Sequence, residues 1–243
     1  MIHLVAHLYR RIMRRGRLIG LTALSAVPAV VYPIVISSDV DGVGREELYQ
    51  AIITGAGYTF AIAALVIAGA TLREERDGGT LPYIYMRPYS RFYLAVASTL
   101  AGIGAAVTLG LIAWGLSVLT GLIVGAGLSI TGPAVALFVP AAVGYAAIFV
   151  PLGYLFSRSL LIGLGYVLVG ETILAFVIPG LAQLSIWRIS MSIYGGIQEL
   201  GTEALQGLGP ITPGAGGGVA KLAVVLAIGV GLLTWALRTR DAL

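Results

Sequence analysis

The stretch "AIITGAGYTFAIAALVIAGAT", residues 51–71, is continuously apolar and carries no charged side chain. A helix rises about 1.5 Å per residue, so about 20 residues cover the roughly 30 Å hydrocarbon core of a bilayer. Membrane strands are about half as long and alternate apolar with polar residues, which this stretch does not. The stretch therefore predicts a membrane-spanning helix.

Most of the chain repeats this pattern. We predict six transmembrane helices, at Leu18–Ser37, Ala51–Thr71, Phe92–Leu119, Pro133–Phe156, Leu160–Leu181 and Val219–Leu237. Of the 243 residues, 58% are hydrophobic and 11% are charged, which is far more apolar than an ordinary soluble domain. The predicted fold class is all-α, a polytopic membrane protein with a single transmembrane domain over residues 1–243 and no room for a soluble catalytic domain.

The basic residues predict the orientation, because cytoplasmic loops carry an excess of Lys and Arg. Six spans place both termini on one side, and that side holds 12 of the 15 basic residues. They are Arg10, Arg11, Arg14, Arg15, Arg17, Arg73, Arg76, Arg87, Arg91, Arg158, Arg238 and Arg240, against Arg45, Arg188 and Lys221 on the other side. We expect cytoplasmic N- and C-termini in the inner or plasma membrane of the cell.

Two segments outside the spans have their own patterns. Residues 1–17 place apolar side chains on one helical face and histidines and arginines on the other, which predicts an amphipathic helix at the membrane interface rather than a cleaved signal. Residues 182–218 form the predicted extracytoplasmic loop, which ends in the glycine-rich "GPITPGAGGG" and has room for short helices before it.

Several kinds of chemistry have no support in the sequence. There is no cysteine, and the only lysine, Lys221, does not precede the Ser or Thr that a phosphate-binding loop requires. His3 and His7 are spaced four apart without a nearby acidic residue, so we interpret them as polar residues at the lipid headgroups rather than metal ligands. We predict no catalytic residue, no metal site and no nucleic-acid partner.

Charged residues gather where the second predicted span ends, in "LREERDGGTLPYIYMRPYSR", residues 72–91. The first charges continue the helix out of the membrane, and Gly78 and Gly79 stop it. The following "TLPYIYM" predicts a short amphipathic helix that begins at Thr80, and Ser90 can cap the third span. We therefore expect a short helix in a cytoplasmic loop between the second and third membrane helices.

This loop has two interpretations. It is either a solvated connection whose charges keep it out of lipid, or a docking element that presents large apolar anchors within a polar rim. In the second interpretation, it transmits motion from a soluble partner into the membrane. The residues assigned to docking are Glu74, Glu75, Arg76, Gly79, Thr80, Tyr83, Tyr85, Arg87, Pro88, Ser90 and Arg91.

The sequence "REERDGGTLPYIYMRPYSRFYLAVASTLAG", residues 73–102, resembles the cytoplasmic loop of permease subunits of ABC transporters of the type 2 (ABC-2) exporter family. There, an acidic pair, a Gly-Thr, an Arg-Pro and a Ser-Arg precede the third span. The matching residues are Glu74 and Glu75, Gly79 and Thr80, Arg87 and Pro88, and Ser90 and Arg91. Tyr83 and Tyr85 depart from the more aliphatic residues common at those positions.

The resemblance implies a coupling helix in the loop and a connecting helix at residues 1–17. It also implies an exporter of two permease subunits, as a homodimer or a related heterodimer, and two separate ATPase subunits, with the substrate path at the permease dimer interface. The ATPase would bind ATP and Mg²⁺, and this chain would hold no cofactor. Membrane lipid is the remaining expected partner.

Glu171 stands among apolar residues near the middle of the fifth predicted span, where an ionisable group is costly. It either hydrogen-bonds a neighbouring helix in its neutral form or serves substrate passage or gating. Glu171 and the "LSI" at 184–186 also resemble a subgroup of the same permeases. Two other functions stay open: an ion-coupled secondary transporter or channel that uses Glu171, and a non-transporting immunity or assembly factor.

Overall fold

The computed structural model describes residues 2–37, 44–86, 89–174, 183–200, 212 and 214–239. Over these residues the chain is helical and contains no strand. The helices are α1 (Ile2–Ile12), α2 (Arg15–Ser25), α3 (Val27–Ser37), α4 (Arg45–Gly55), α5 (Gly57–Asp77), α6 (Leu81–Tyr85), α7 (Arg91–Ile123), α8 (Gly127–Thr131), α9 (Val135–Leu155), α10 (Ser159–Gly165), α11 (Ile186–Ile197) and α12 (Ala215–Thr239). A π-helical segment, Tyr166–Leu174, continues α10.

Five stretches within the described residues are long and apolar enough to cross a membrane. They are Arg15–Ser37, Arg45–Asp77, Arg91–Ile123, Gly127–Leu155 and Ala215–Thr239, and they correspond to the first four predicted spans and the sixth. A shorter apolar helix, Ser159–Glu171, covers the beginning of the predicted fifth span. The remainder of that span, from residue 175, lies outside the described residues.

Breaks divide the first two spans. The helix of the first span is interrupted at Ala26, because the ring of Pro28 has no N–H to donate to the preceding turn. The second is interrupted at Ala56, just before Gly57, where a Cβ would overlap the indole ring of Trp187. The sequence predicted one continuous helix for each span, so it missed both interruptions.

Helix α9 lies at the centre of the bundle and packs against α5, α7, α11 and α12. Two of these approaches depend on glycine. A Cβ on Gly153 would overlap the backbone carbonyl of Gly69 in α5, and one on Gly229 in α12 would overlap that of Ala147. Small residues at membrane-helix contacts allow backbones to come this close, which is how dispersion replaces the hydrophobic effect inside lipid.

The two ends of the bundle differ in chemistry. One, called here the basic end, gathers the starts of α2 and α7 and the ends of α5, α9 and α12. At the opposite end, the Tyr32 hydroxyl donates to the carbonyl of Arg45 at 3.2 Å, and Arg45 donates to the carbonyl of Gly125 at 3.0 Å. Helix α1 crosses the basic end against α7 and α5, with Leu8 and Ile12 buried.

Helix α1 ends at Ile12, so it is shorter than the helix predicted over residues 1–17, and Arg15 already begins α2. The predicted loop at 182–218 also contains more regular structure than a flexible excursion. Helix α11 occupies its first half, and α12 begins at Ala215, inside the glycine-rich sequence. Residues 201–211 of that loop lie outside the described part of the chain.

Candidate functional site

The end of α5 has the geometry that terminates a helix at glycine. Gly79 has a φ of 64°, in the left-handed region that favours glycine. Its N–H donates to the carbonyl of Arg76 at 3.1 Å, and the N–H of Thr80 donates to that of Glu75 at 3.0 Å. These two bonds define a Schellman motif, which satisfies the last carbonyls of α5 and turns the chain toward α6.

Two arginines from the N-terminal region hold this turn. Arg11 Nη1 lies 2.9 Å and 3.0 Å from the two carboxylate oxygens of Glu75, and it donates to Thr80 Oγ1 at 3.3 Å. Thr80 also bonds to the carboxylate of Glu75, and Arg17 pairs with Glu74. These five residues are called here the arginine clasp, because they fasten α1 and α2 to the end of α5.

Burial makes the clasp more than a pair of surface contacts. Glu75 is 1% exposed and the Arg11 side chain is 24% exposed, so water screens their attraction weakly. His7 Nε2 lies 3.8 Å from the same carboxylate. On the other side of α5, Arg76 donates to the backbone carbonyl of Tyr154 at 2.7 Å, which ties the helix end to α9.

Helix α6 presents apolar side chains from this anchored turn. Leu81 is buried, whereas Tyr83 is 67% exposed and Met86 is 73% exposed. A cavity of about 360 Å³ separates α6 from α1 and is lined on the two sides by residues that include His7 and Tyr83. The basic end therefore carries a short, anchored helix with two projecting side chains, on or just after it, beside a cleft that both polar and apolar residues line.

The predicted docking residues separate into two groups. Glu74, Glu75 and Thr80 turn inward into the clasp, and Arg76 bonds to α9. Tyr83 projects outward, and Ser90 caps α7 by accepting from the N–H of Tyr93 at 3.1 Å. Arg91 begins α7 and Gly79 forms the turn. Arg87, Pro88 and the side chain of Tyr85 lie outside what the structure describes.

Glu171 lies in the π-helical segment and is 5% exposed. The Tyr145 hydroxyl donates to its Oε2 at 2.5 Å, and the Tyr166 hydroxyl donates to Oε1 at 3.2 Å. The backbone N–H of Ile186 donates to Oε1 at 2.8 Å. The carboxyl group thus joins α9, its own helix and the first residue of α11, where the helix dipole favours negative charge.

Helix α11 is folded back into the bundle. A Cβ on Gly144, in the middle of α9, would lie 2.6 Å from Ile186, so α11 begins at the depth of the α9 centre. Ser185 caps it by accepting from the N–H of Arg188 at 3.3 Å. Farther along, Ile193 packs onto Gly218 near the start of α12. Helix α11 therefore runs from the middle of the bundle toward its opposite end.

This fold-back places Arg188 close to the buried carboxyl group of Glu171, although the sequence assigned Arg188 to an outer loop. Arg188 is buried, and the nearby Glu171 carboxyl group acts on it electrostatically. Sequence patterns had placed Arg188 on the outer side and Glu171 near the middle of a span, so they gave no reason to expect the two close together. Arg188, Tyr145 and Arg11 are the residues it missed, because each acts across a contact between distant segments. The described residues hold no group of three His, Asp or Glu side chains placed to bind a metal ion.

The long apolar helices, the anchored turn at the basic end and the folded-back helix together define a polytopic helical membrane protein. Residues 13–178 match the family model described as ABC-2 family transporter protein. Because that match covers more than half of the chain, this protein belongs to the ABC-2 transporter family, and the resemblance predicted from residues 73–102 is confirmed. The chain is therefore a multi-pass membrane component of an ABC transporter. A search of curated proteins found none that matches it.

Proposed function

We propose that this chain is the permease subunit of an ATP-driven exporter and that a separate ATPase docks on α6. The observation that carries the proposal is the combination of anchoring and exposure at the basic end. The arginine clasp and Arg76 fix the α5–α6 turn to three other helices, while Tyr83 and Met86 project from it. A partner that moves α6 would therefore move α1, α5 and α9 with it.

The proposed orientation follows from the same end of the molecule. The basic end faces the cytoplasm, in accordance with the positive-inside rule, and both termini lie there. Helix α1 lies at the membrane interface as the connecting helix. The helix that begins at Ser159 belongs to the fifth of six spans, as the apolar run Leu160–Leu181 predicts. The membrane is the inner or plasma membrane of the cell.

The transporter proposed here has two permease subunits and two ATPase subunits. ATP and Mg²⁺ bind the ATPase, since the sequence has no phosphate-binding loop with its lysine. Closure of the ATPase pair on ATP pulls on α6, and the clasp carries that motion to the helices that line a path between the two permeases. Hydrolysis then resets the arrangement. The direction of transport is outward, as in the exporters that the loop resembles.

A docking variant tests the proposal. We expect Tyr83→Ala to weaken binding of the proposed partner ATPase by roughly 30-fold, because truncating a central aromatic anchor costs about 2 kcal/mol at protein interfaces. The measurement is co-purification from detergent-solubilised membranes, followed by a titration of the purified ATPase onto the immobilised permease.

Ile123→Ala is the matched control, because Ile123 is 75% exposed at the opposite end of the bundle. It should leave ATPase binding unchanged. Equal binding by wild type and Tyr83→Ala would contradict docking on α6. Transport by the purified chain alone, driven by an ion gradient, would instead support the secondary-transporter interpretation.

A further inference from the structure

Arg188 is a buried cation with an unpaired hydrogen-bond donor in its side chain. The residue is 8% exposed, and its Nη1 is buried without a hydrogen-bond partner in the described part of the chain. A guanidinium group carries five N–H donors in a planar fork that matches the oxygens of carboxylates and phosphates. Buried donors in proteins are nearly always satisfied, so an unpaired one in this position points to a missing acceptor.

The depth of Arg188 makes the unpaired group costly. It belongs to the first turn of α11, which begins beside Gly144 at the centre of α9. Arginine at such depth is rare in membrane proteins, and it normally faces a cavity or another charge and marks a path for ligands or ions. A structural role alone does not account for a cation here, because an apolar side chain would fill the same volume at no electrostatic cost.

Glu171 does not supply the missing acceptor. Its Oε2 accepts from Tyr145, and its Oε1 accepts from Tyr166 and from the N–H of Ile186. Among the described residues no carboxylate oxygen lies within 4.0 Å of Arg188. Glu171 therefore acts on Arg188 only at longer range and leaves its Nη1 available for a ligand.

The start of α5 lies beside the first turn of α11, because a Cβ on Gly57 would overlap the ring of Trp187. Tyr58, the residue after Gly57, is 42% exposed. The next residue, Thr59, lines a cavity of about 240 Å³ that runs between α3 and α4 and whose other walls are apolar, including Val31 and Ile52. A polar group with an apolar chain attached could therefore approach Arg188 past Tyr58 and keep its chain against this groove.

We propose that Arg188 binds the oxyanion of an amphiphile, a phosphate, sulfate or carboxylate group attached to an apolar chain, with Tyr58 at the entrance. The identity of this amphiphile as transported cargo rests on the proposed exporter function. The same chemistry would also suit a resident anionic lipid. Binding to Arg188 itself depends on neither the ATPase nor the direction of transport.

Thermal unfolding of the detergent-purified chain tests the binding directly. Trp187, next to Arg188, makes tryptophan fluorescence a suitable signal. In neutral dodecyl maltoside, we expect dodecyl phosphate at about 100 times its dissociation constant to raise the unfolding midpoint of the wild type by roughly 5 °C. Arg188→Gln should abolish that rise, and Arg188→Lys should retain part of it, because lysine keeps the charge but not the planar fork.

Arg158→Gln is the matched control, since it removes an exposed arginine at the basic end. It should respond like the wild type. An equal rise in Arg188→Gln, or an equal rise with inorganic phosphate in place of dodecyl phosphate, would overturn the proposal. Gel filtration before heating establishes that the Arg188 variants are folded.

The permease–ATPase complex, in discs of phosphatidylcholine, distinguishes the two sources of the ligand. If dodecyl phosphate stimulates ATP hydrolysis by the wild type and not by Arg188→Gln, the site binds cargo. If dodecyl phosphate stabilises the permease without stimulating hydrolysis, the site holds a resident lipid headgroup. Arg188→Gln should still co-purify with the ATPase, so a failure of assembly would count against the docking proposal and leave the anion site to the unfolding measurement.

Discussion

Replacing Glu75 by alanine is expected to lower the free energy of unfolding by about 3 kcal/mol, which corresponds to a fall of roughly 9 °C in the unfolding midpoint. The substitution leaves Arg11 of α1, which is 24% exposed and packed against α5, without its carboxylate partner, and Thr80 loses its partner as well. Removing one member of a buried ion pair costs more than the pair itself contributes, because the remaining charge stays desolvated. The measurement is thermal unfolding in detergent, with ATPase co-purification alongside.

A double substitution separates this mechanism from a general weakness of α5. Combining Arg11→Met with Glu75→Gln removes both charges. The double variant should therefore lose at least 1 kcal/mol less unfolding free energy than the sum of the losses in the two single variants. Asp77→Asn is the control, because Asp77 is 59% exposed and its pair with Arg76 should contribute less than about 0.5 kcal/mol. Additive single effects would contradict the clasp.

The clasp also predicts that substitutions at Glu75 and at Tyr83 affect different measurements, transport in one case and ATPase binding in the other. Glu75 is buried, so it does not belong to the exposed surface on which we propose that the ATPase docks. Its loss should therefore reduce ATP-dependent transport more than it reduces ATPase binding, whereas Tyr83→Ala should reduce binding itself. This difference refines the sequence-based assignment, which placed both residues in one docking set.

The apolar runs predicted the five long apolar stretches found in the described residues, because the bilayer imposes one requirement on each span, an uncharged helix about 30 Å long. Local chemistry predicted the ends of elements equally well. Gly78 and Gly79 end α5 and Ser90 caps α7, since both effects depend on neighbours within a few residues. The predicted second span, Ala51–Thr71, lies within the longer candidate span Arg45–Asp77.

Contacts between distant segments could not be read from the sequence. Arg11 and Glu75 are 64 positions apart, and nothing in the amphipathic pattern of α1 distinguishes Arg11 from Arg10 or Arg14 as the partner. The fold-back of α11 was hidden for another reason. Its sequence is only moderately long and contains an arginine, so it resembles an outer loop, although its apolar residues pack against α9 and α12.

The fold-back of α11 gives the buried Glu171 hydrogen-bond partners that the sequence did not predict. By sequence alone, Glu171 either hydrogen-bonds a neighbouring helix in its neutral form or serves substrate passage or gating. Three donors surround its carboxyl group, and they come from α9, from the π-helical segment and from the N-terminus of α11. We infer that Glu171 fastens α11 to the centre of the bundle.

Replacing Glu171 by alanine should therefore release α11. We expect a loss of about 3 kcal/mol, since three donors lose their acceptor at about 1 kcal/mol each, the size typical of hydrogen bonds within membrane proteins. Glu171→Gln should cost only about 1 kcal/mol, because its amide oxygen still accepts and its NH₂ can donate to a tyrosine oxygen. Thermal unfolding of the three proteins gives the ranking.

Because the chain contains no cysteine, a single engineered one reports on α11 without background. Ser190 is fully buried and its hydroxyl bonds to the carbonyl of Ile186, so Ser190→Cys is a conservative probe. A hydrophilic maleimide should label Ser190→Cys rapidly when Glu171 is alanine and slowly when it is Glu or Gln. If the Gln variant kept α11 protected, as expected, but lost transport, hydrogen bonding would not explain Glu171, and its charge or proton would be the functional property.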